Sequence, residues 1–280
     1  MMRLPVPLVA LLLLLFAGPA VAADWGDVGT PSPGPTQSIG TYWAGCIQGA
    51  QALPLDGPGY EVIRVSRNRF WGQPTTIELI KSLSEQARQH GQSHLYIGDI
   101  GLPRGGPMPT GHASHQVGLD VDIWFERSSQ RPRLAPAQRE NPLLRSLVRA
   151  DDTGIDDEVY SPQHAELLRL AAEHPNTDRI FVNRYIKERL CHNTTGNRSW
   201  LHKLVPWYGH DEHFHVRLYC PPGNPQCQKQ AGYPMDDGCG EALDLWFRTG
   251  PSPVPATPPP ETKPYRPKLP AACQQVLKAN

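Results

Sequence analysis

Two stretches of this chain concentrate side chains that can do chemistry. In GHDEHFHVRLYC, residues 209–220, apolar Phe214, Val216 and Leu218 alternate with His213, His215 and Arg217. A period of two predicts a strand with one buried face, which sets two imidazoles side by side on the other face. In HASHQVGLDVDIWF, residues 112–125, apolar Leu119, Val121, Ile123 and Phe125 alternate with Asp120, Asp122 and Trp124. His112 and His115 lie just upstream, across a loop that contains Gly118. The histidine pair taken alone is weak, since a surface histidine pair is the default reading, and the two stretches together are far more specific than either half. Together, His115, Asp122 and one of His213 and His215 supply two imidazoles and a carboxylate. That is the donor set of a catalytic zinc site with one position left for water. The spare histidine then serves as the adjacent general base that hydrolysis needs. Zn²⁺ suits this set, and cobalt or manganese is compatible with it. Asp120 shares the face of Asp122 and is expected to hold an imidazole N–H rather than the ion.

These strands need a scaffold. YEVIRVS, from Tyr60, and HLYIGDIG, from His94, read as strands, and RIFVN, from Arg179, as a short one. TTIELIKSLSEQARQHG reads as a helix capped by Thr75 or Thr76 and stopped at Gly91. NPLLRSLVRA, SPQHAELLRLAAEH (capped by Ser161, with Pro162 in the first turn) and RYIKERLC also read as helices. Residues 24–40 read as an extended lead-in. Dispersed strands and helices without a βαβ rhythm predict an α+β fold with an antiparallel sheet flanked by helices. The 31 prolines and 25 glycines imply many loops. The remaining histidines, at 90, 94, 164, 174, 192 and 202, read as surface residues, and the sequons at Asn193 and Asn197 as incidental.

Arg3, the apolar run Val9–Phe16 and Ala20-Val21-Ala22 form a secretory signal peptide over residues 1–22. The rest is expected to be exported and not membrane-spanning, with a catalytic domain over 23–249 and a proline-rich strap over 250–280. Lys plus Arg equals Asp plus Glu, at 27 each, which argues against a nucleic-acid or membrane-surface partner. Six cysteines in an oxidising compartment predict up to three disulfides, a number that permits about 15 pairings. Cys220 and Cys227 most simply staple one loop, and a bridge from Cys273 ties the tail to the body.

SHQVGLDVD resembles the S-H-x-x-G-x-(A or D)-x-D motif of the zinc peptidases grouped with lysostaphin, the D-alanyl-D-alanine peptidases and the hedgehog signalling domain, and HFH resembles their H-x-H. TGHASHQVGLDVDIW, RIFVN, GHDEHFHVRLYCP and the cysteine pattern are similar to one branch of that group, the penicillin-insensitive murein endopeptidases, from about Gly40 to Cys273. The resemblance implies zinc on His115, Asp122 and His215, with His213 as base or stabiliser of the tetrahedral intermediate and His210 assisting. It implies disulfides Cys46–Cys273, Cys191–Cys239 and Cys220–Cys227, and a small antiparallel sheet carrying the metal in a groove. His112 aligns with a family histidine implicated in metal binding, and an accessory metal on His112 and Asp151 is conceivable. Gly154 stands where the family can carry a histidine, which weakens that second site. The implied activity is periplasmic D,D-endopeptidase cleavage of D-alanyl-meso-diaminopimelyl cross-links in peptidoglycan. It needs no serine nucleophile for a β-lactam to acylate. The rivals are a D-alanyl-D-alanine carboxypeptidase with the same zinc site and a non-catalytic, metal-stabilised murein-binding module. The sequence assigns no number of subunits.

Overall fold

A nine-residue strand, β8 (Asp120–Ser128), runs down the middle of a seven-stranded sheet and carries the acidic residues. The computed structural model describes residues 24–92, 94–128, 133–248 and 266–279. In chain order its strands are β1 (Gln37–Thr41), β2 (Ala44–Gln48), β3 (Gln51–Ala52), β4 (Asp56–Gly57), β5 (Tyr60–Val62), β6 (Trp71–Gly72), β7 (His94–Ile97), β8 (Asp120–Ser128), β9 (Thr177–Val182), β10 (Leu204–Pro206) and β11 (His213–Leu218). The helices are α1 (Pro74–Gln89), α2 (Pro136–Glu140), α3 (Pro162–Glu173), α4 (Arg184–Asn193), α5 (Glu241–Arg248) and α6 (Ala271–Lys278). The large sheet has the order β10-β9-β11-β8-β7-β5-β4. Its centre, β9-β11-β8-β7, is antiparallel as expected, whereas β10–β9 and β5–β7 pair in parallel, so the sheet is mixed.

One face of the sheet is packed by α1 and α3. Val121, Ile123 and Phe125 of β8 and Phe214, Val216 and Leu218 of β11 point into this layer, against Ile80 and Leu83 of α1 and Leu167 and Leu168 of α3. Burying each such side chain contributes roughly 1.5–3 kcal/mol. The opposite face is not solvated, although its residues are polar: Asp120, Asp122, His215 and Arg217 are all buried. Buried charge on this scale requires paired partners.

The structure corrects several expected elements. The strand from Tyr60 stops at Val62, because Arg64 and Asn68 turn left-handed (φ 54° and 51°) around a short 3₁₀ turn, Val65–Arg67. The cap of α1 is Gln73, with Pro74 first in the helix, where its missing N–H costs nothing; Thr76 instead donates to the Gly118 carbonyl at 2.7 Å. NPLLRSLVRA is not a helix. Its Leu147 N–H donates to the Asp211 carbonyl and Val148 bridges to Ile155, so tertiary pairing takes the backbone groups a helix would use. The lead-in contains a 3₁₀ turn, Trp25–Asp27, and enters β1 at Gln37. His164 is buried, not superficial: its Nδ1 accepts from the Ser161 N–H at 2.9 Å, and its Nε2 faces the Phe125 carbonyl at 3.2 Å.

All three expected disulfides are present, Cys46–Cys273, Cys191–Cys239 and Cys220–Cys227. The first ties α6 beside β2, and Arg104 donates to the carbonyls of Val276, Leu277 and Ala279 at the end of that helix. The apolar segment read as a signal peptide and residues 249–265 of the proline-rich stretch lie outside the described residues. No helix among the described residues is long and apolar enough to cross a membrane.

Candidate metal centre

The antiparallel register of β8 and β11 sets Asp122 opposite His215 and Asp120 opposite Arg217. The loop before β8 supplies the other imidazoles. His115 sits in the left-handed region (φ 64°), a strained position for a non-glycine residue, held by its own N–H donating to Asp120 Oδ2 at 3.0 Å. Gly118, also left-handed (φ 71°), lets the loop press onto the body; a Cβ there would lie 2.6 Å from Ile47 Cδ1 and 3.0 Å from Gly72 Cα.

Four histidines surround the Asp122 carboxylate. His115 Nε2 lies 3.3 Å from Oδ1, His215 Nδ1 3.7 Å and His213 Nε2 3.9 Å, while His112 Nε2 lies 3.4 Å from Oδ2. The far nitrogens of two rings are spoken for. His115 Nδ1 donates to the Ile100 carbonyl at 3.0 Å, and His215 Nε2 donates to Asp120 Oδ1 at 2.8 Å. Each ring is thereby turned to present its other nitrogen toward Asp122. Two of the presented atoms, His115 Nε2 and Asp122 Oδ1, are buried without a hydrogen-bond partner. A buried polar atom left this way costs about 1–3 kcal/mol, so such a convergence calls for an occupant.

The electrostatics favour a positive one. Burial works against a charged His115 ring, but Asp122, with Asp120 and Asp99, overrides it and lifts the ring to about 9. Burial likewise opposes a charged Asp122, yet His115, His112 and His213 hold its carboxyl well below the usual range. His215 is driven down to about 4, mainly by burial, against the pull of Asp120. His112, His115 and Asp122 offer ligand atoms within 4.8 Å of one another, with His215 alongside, so nitrogen and oxygen donors fit a divalent cation.

The remaining expected residues fall in three places. Asp120 stands behind His215 and His115, accepting from the His215 ring and the His115 N–H. His213 lies tilted against Trp124 (ring centroids 4.9 Å) and is lowered, first by burial. His210, left-handed at φ 54°, has its ring 5.0 Å from that of His213, and its Nδ1 meets the Tyr208 carbonyl at 2.8 Å. Asp151 is not drawn to His112: it stays on an exposed turn, capping Thr153. His112 joins His115 and Asp122 instead, which leaves an accessory pair with Asp151 unsupported. Asp99 was missed. Buried beneath His112, its Oδ2 lies 3.1 Å from His112 Nε2 and accepts from Arg69 at 2.8 Å and Arg67 at 3.3 Å. Its only trace in the sequence is a lone carboxylate between glycines, in GDIG.

Above the cluster opens a groove of about 670 Å³, lined among others by Trp43, His112, Tyr208, His210, His215 and Tyr233. Its size and aromatic walls suit a peptide-sized ligand. A carboxylate ringed by imidazoles, two of which line the open groove, is a donor set that could hold a cation. The family model described as penicillin-insensitive murein endopeptidase matches residues 38–278. The chain is 43% identical to the penicillin-insensitive murein endopeptidase of Klebsiella pneumoniae, over 95% of each chain. It is 44% identical to that of Haemophilus influenzae, over 91% of this chain and 88% of the relative. To that of Yersinia pestis it is 40% identical, over 96% of each. The protein belongs to the penicillin-insensitive murein endopeptidase family, and is a hydrolase of that kind.

Proposed function

We propose that the protein is a zinc-dependent D,D-endopeptidase of the periplasm, exported by residues 1–22, that hydrolyses D-alanyl-meso-diaminopimelyl cross-links in peptidoglycan. The observation that carries this reading is the pair of unpartnered buried atoms, His115 Nε2 and Asp122 Oδ1, facing each other beneath the groove. With His215 Nδ1 they would hold the ion, and His112 is close enough to contribute. When bound, zinc supplies the Lewis-acid charge that acidifies a water and polarises the scissile carbonyl.

The chain's own residues do the rest. His213 stands at the open edge beside Asp122, and burial keeps its ring neutral, so it can take the proton of the attacking water and pass it to the leaving amine. His210 donates from Nδ1 to Tyr208, which leaves Nε2 as an acceptor on the groove side for a water or a substrate N–H. Asp120 keeps His215 in the tautomer that offers Nδ1. The groove walls hold the peptide over these groups.

The test is to incubate the purified mature protein with cross-linked murein dimers, with and without a chelator, and read products by mass. Conversion of dimer to monomer should stop with the chelator and return with zinc. Dimers that survive while terminal D-alanine is released would point to a carboxypeptidase. No change to either would make the centre structural.

A further inference from the structure

A second cavity, of about 460 Å³, lies against the groove and shares two wall residues with it, Trp207 and Tyr208. The partition is one run of chain: His210 lines the groove, whereas Gly209 and Asp211 line the cavity. The lining carries both signs of charge. Asp156 and Asp211 make no ion pair among the described residues, and the Asp156 carboxylate accepts a hydrogen bond from the Glu158 N–H at 3.0 Å. Facing them are Arg145 and Arg149, each about half exposed, the first paired with Glu126 at 2.8 Å and the second 3.8 Å from Asp151, and Arg184. Arg184 is buried; one end pairs with Asp152 at 2.5 Å, while its Nε has no partner. Trp207 and Tyr208 leave half their surface exposed and pack on Trp246 at 6.1 and 5.1 Å, forming an aromatic wall. Aromatic surface clustered beside a cleft marks a binding face.

We propose that this cavity is a subsite for a peptide side chain whose tip bears both an ammonium and a carboxylate. The assignment rests on the cross-link named above and deepens it. In the stem that donates D-alanine, the residue before that D-alanine is a diaminopimelate whose far end is free and carries both charges. In the acceptor stem the corresponding amine is tied up in the scissile amide, so only the carboxylate remains. A lining with two carboxylates outside any ion pair and with arginines that include the unpartnered Nε of Arg184 matches the donor side chain and not the acceptor. Position agrees. Successive Cα atoms are about 3.8 Å apart, so the donor diaminopimelate, second from the cut, stays within about 8 Å of it and its side chain can reach the partition, while the glycan lies further off. Asp156 and Asp211 take the ammonium, Arg149 and Arg184 the carboxylate, and the aromatic wall covers the methylenes.

Three synthetic dimers test this: the native one, one with the donor side-chain carboxylate amidated, and one with the donor amine acetylated. The zinc-loaded wild type should lose about 10- to 100-fold in kcat/KM on each modified dimer, the worth of a hydrogen bond to a charged group. Arg149→Gln should shrink the amidation penalty to within about 3-fold, and Asp156→Asn should do the same for acetylation. Asp211→Asn is the second acidic variant, less clean because Asp211 adjoins His210. Equal cleavage of all three dimers by the wild type would overturn the subsite and leave the endopeptidase reading intact. Failure to cut any of them would overturn both. The wild-type comparison decides the matter even if a variant does not fold.

Discussion

Asp122 is flanked by two arginine–carboxylate pairs, one closed and one open. On the closed side, Asp120 Oδ1 accepts from His215 Nε2 (2.8 Å) and Arg217 Nε (2.7 Å), and Oδ2 accepts from the His115 N–H. Arg217 is itself gripped, 4.4 Å over the Tyr42 ring, 5.1 Å from Phe181, and 2.8 Å from the Gln230 side chain. On the open side, Asp99 gathers Arg69, Arg67 and His112 on a single oxygen, and Arg67 and His112 reach solvent at 40% and 22% exposure. The closed pair leaves His215 one orientation. The open pair leaves His112 shared between Asp99 and Asp122. Two similar sets of residue types therefore do different work: one fixes a ligand, the other keeps an imidazole available at the lip of the groove.

Substitutions should separate these roles in a definite order. The largest effect belongs to the atom both sides converge on: Asp122→Ala should reduce bound metal and dimer cleavage to background, read by metal analysis and by product mass. A variant that retained stoichiometric metal would place the ion elsewhere. Next comes His213→Ala, which should lower kcat by about 10²- to 10⁴-fold while metal content holds, as expected for a proton-transfer group outside the ligand set. Wild-type rates in this variant would remove the assigned role. The two flanks should then diverge. Arg217→Gln unseats Asp120 and should weaken zinc affinity by about 10- to 100-fold, measured by competition with a chromophoric chelator. Arg67→Gln, at the exposed end of the open side, should stay within about 2-fold. Equal losses would erase the distinction.

How much of this was legible follows from the same residues. Alternation in two short stretches located β8 and β11 and put Asp120, Asp122, His213 and His215 on one face, because a period of two is local information. The motif resemblance then chose among the histidines. Hidden from sequence was the burial of that polar face, since covering it takes Tyr42 and Phe181 from distant parts of the chain. Asp99, Arg67 and Arg69 were missed for the same reason: they meet His112 only through a left-handed turn that the strand-like pattern of YEVIRVS conceals. The failed helix at NPLLRSLVRA and the unpredicted α5 and α6 show tertiary pairing and disulfide anchoring overriding local periodicity.

The smallest expected effect is on stability in the metal-free chain, and it divides the histidines by pH. His215 sits at about 4 when folded against about 6.5 unfolded, so between those values the unfolded chain binds a proton that the folded one refuses. Stability is then complete above about 6.5 and declines as pH falls toward 4. His210 and His213, lowered by burial, add to this acid limb. His115 works oppositely. Held at about 9, it keeps a proton that the unfolded chain has lost, so its contribution is complete below about 6.5 and declines as pH rises toward 9. The chelated protein should therefore be most stable near pH 6.5, with Tm falling a few degrees on either side, at about 2–4 °C per kcal/mol. Because Asp99 adds to the hold that Asp122 and Asp120 have on the His115 charge, Asp99→Asn should make the alkaline limb shallower and spare the acid one. Zinc should abolish the alkaline limb in the wild type, since its binding displaces that proton and is favoured as pH rises. A chelated wild type whose Tm stays level from pH 6.5 to 9 would show that the carboxylates around His115 do not hold the positive charge that makes this a place for a cation.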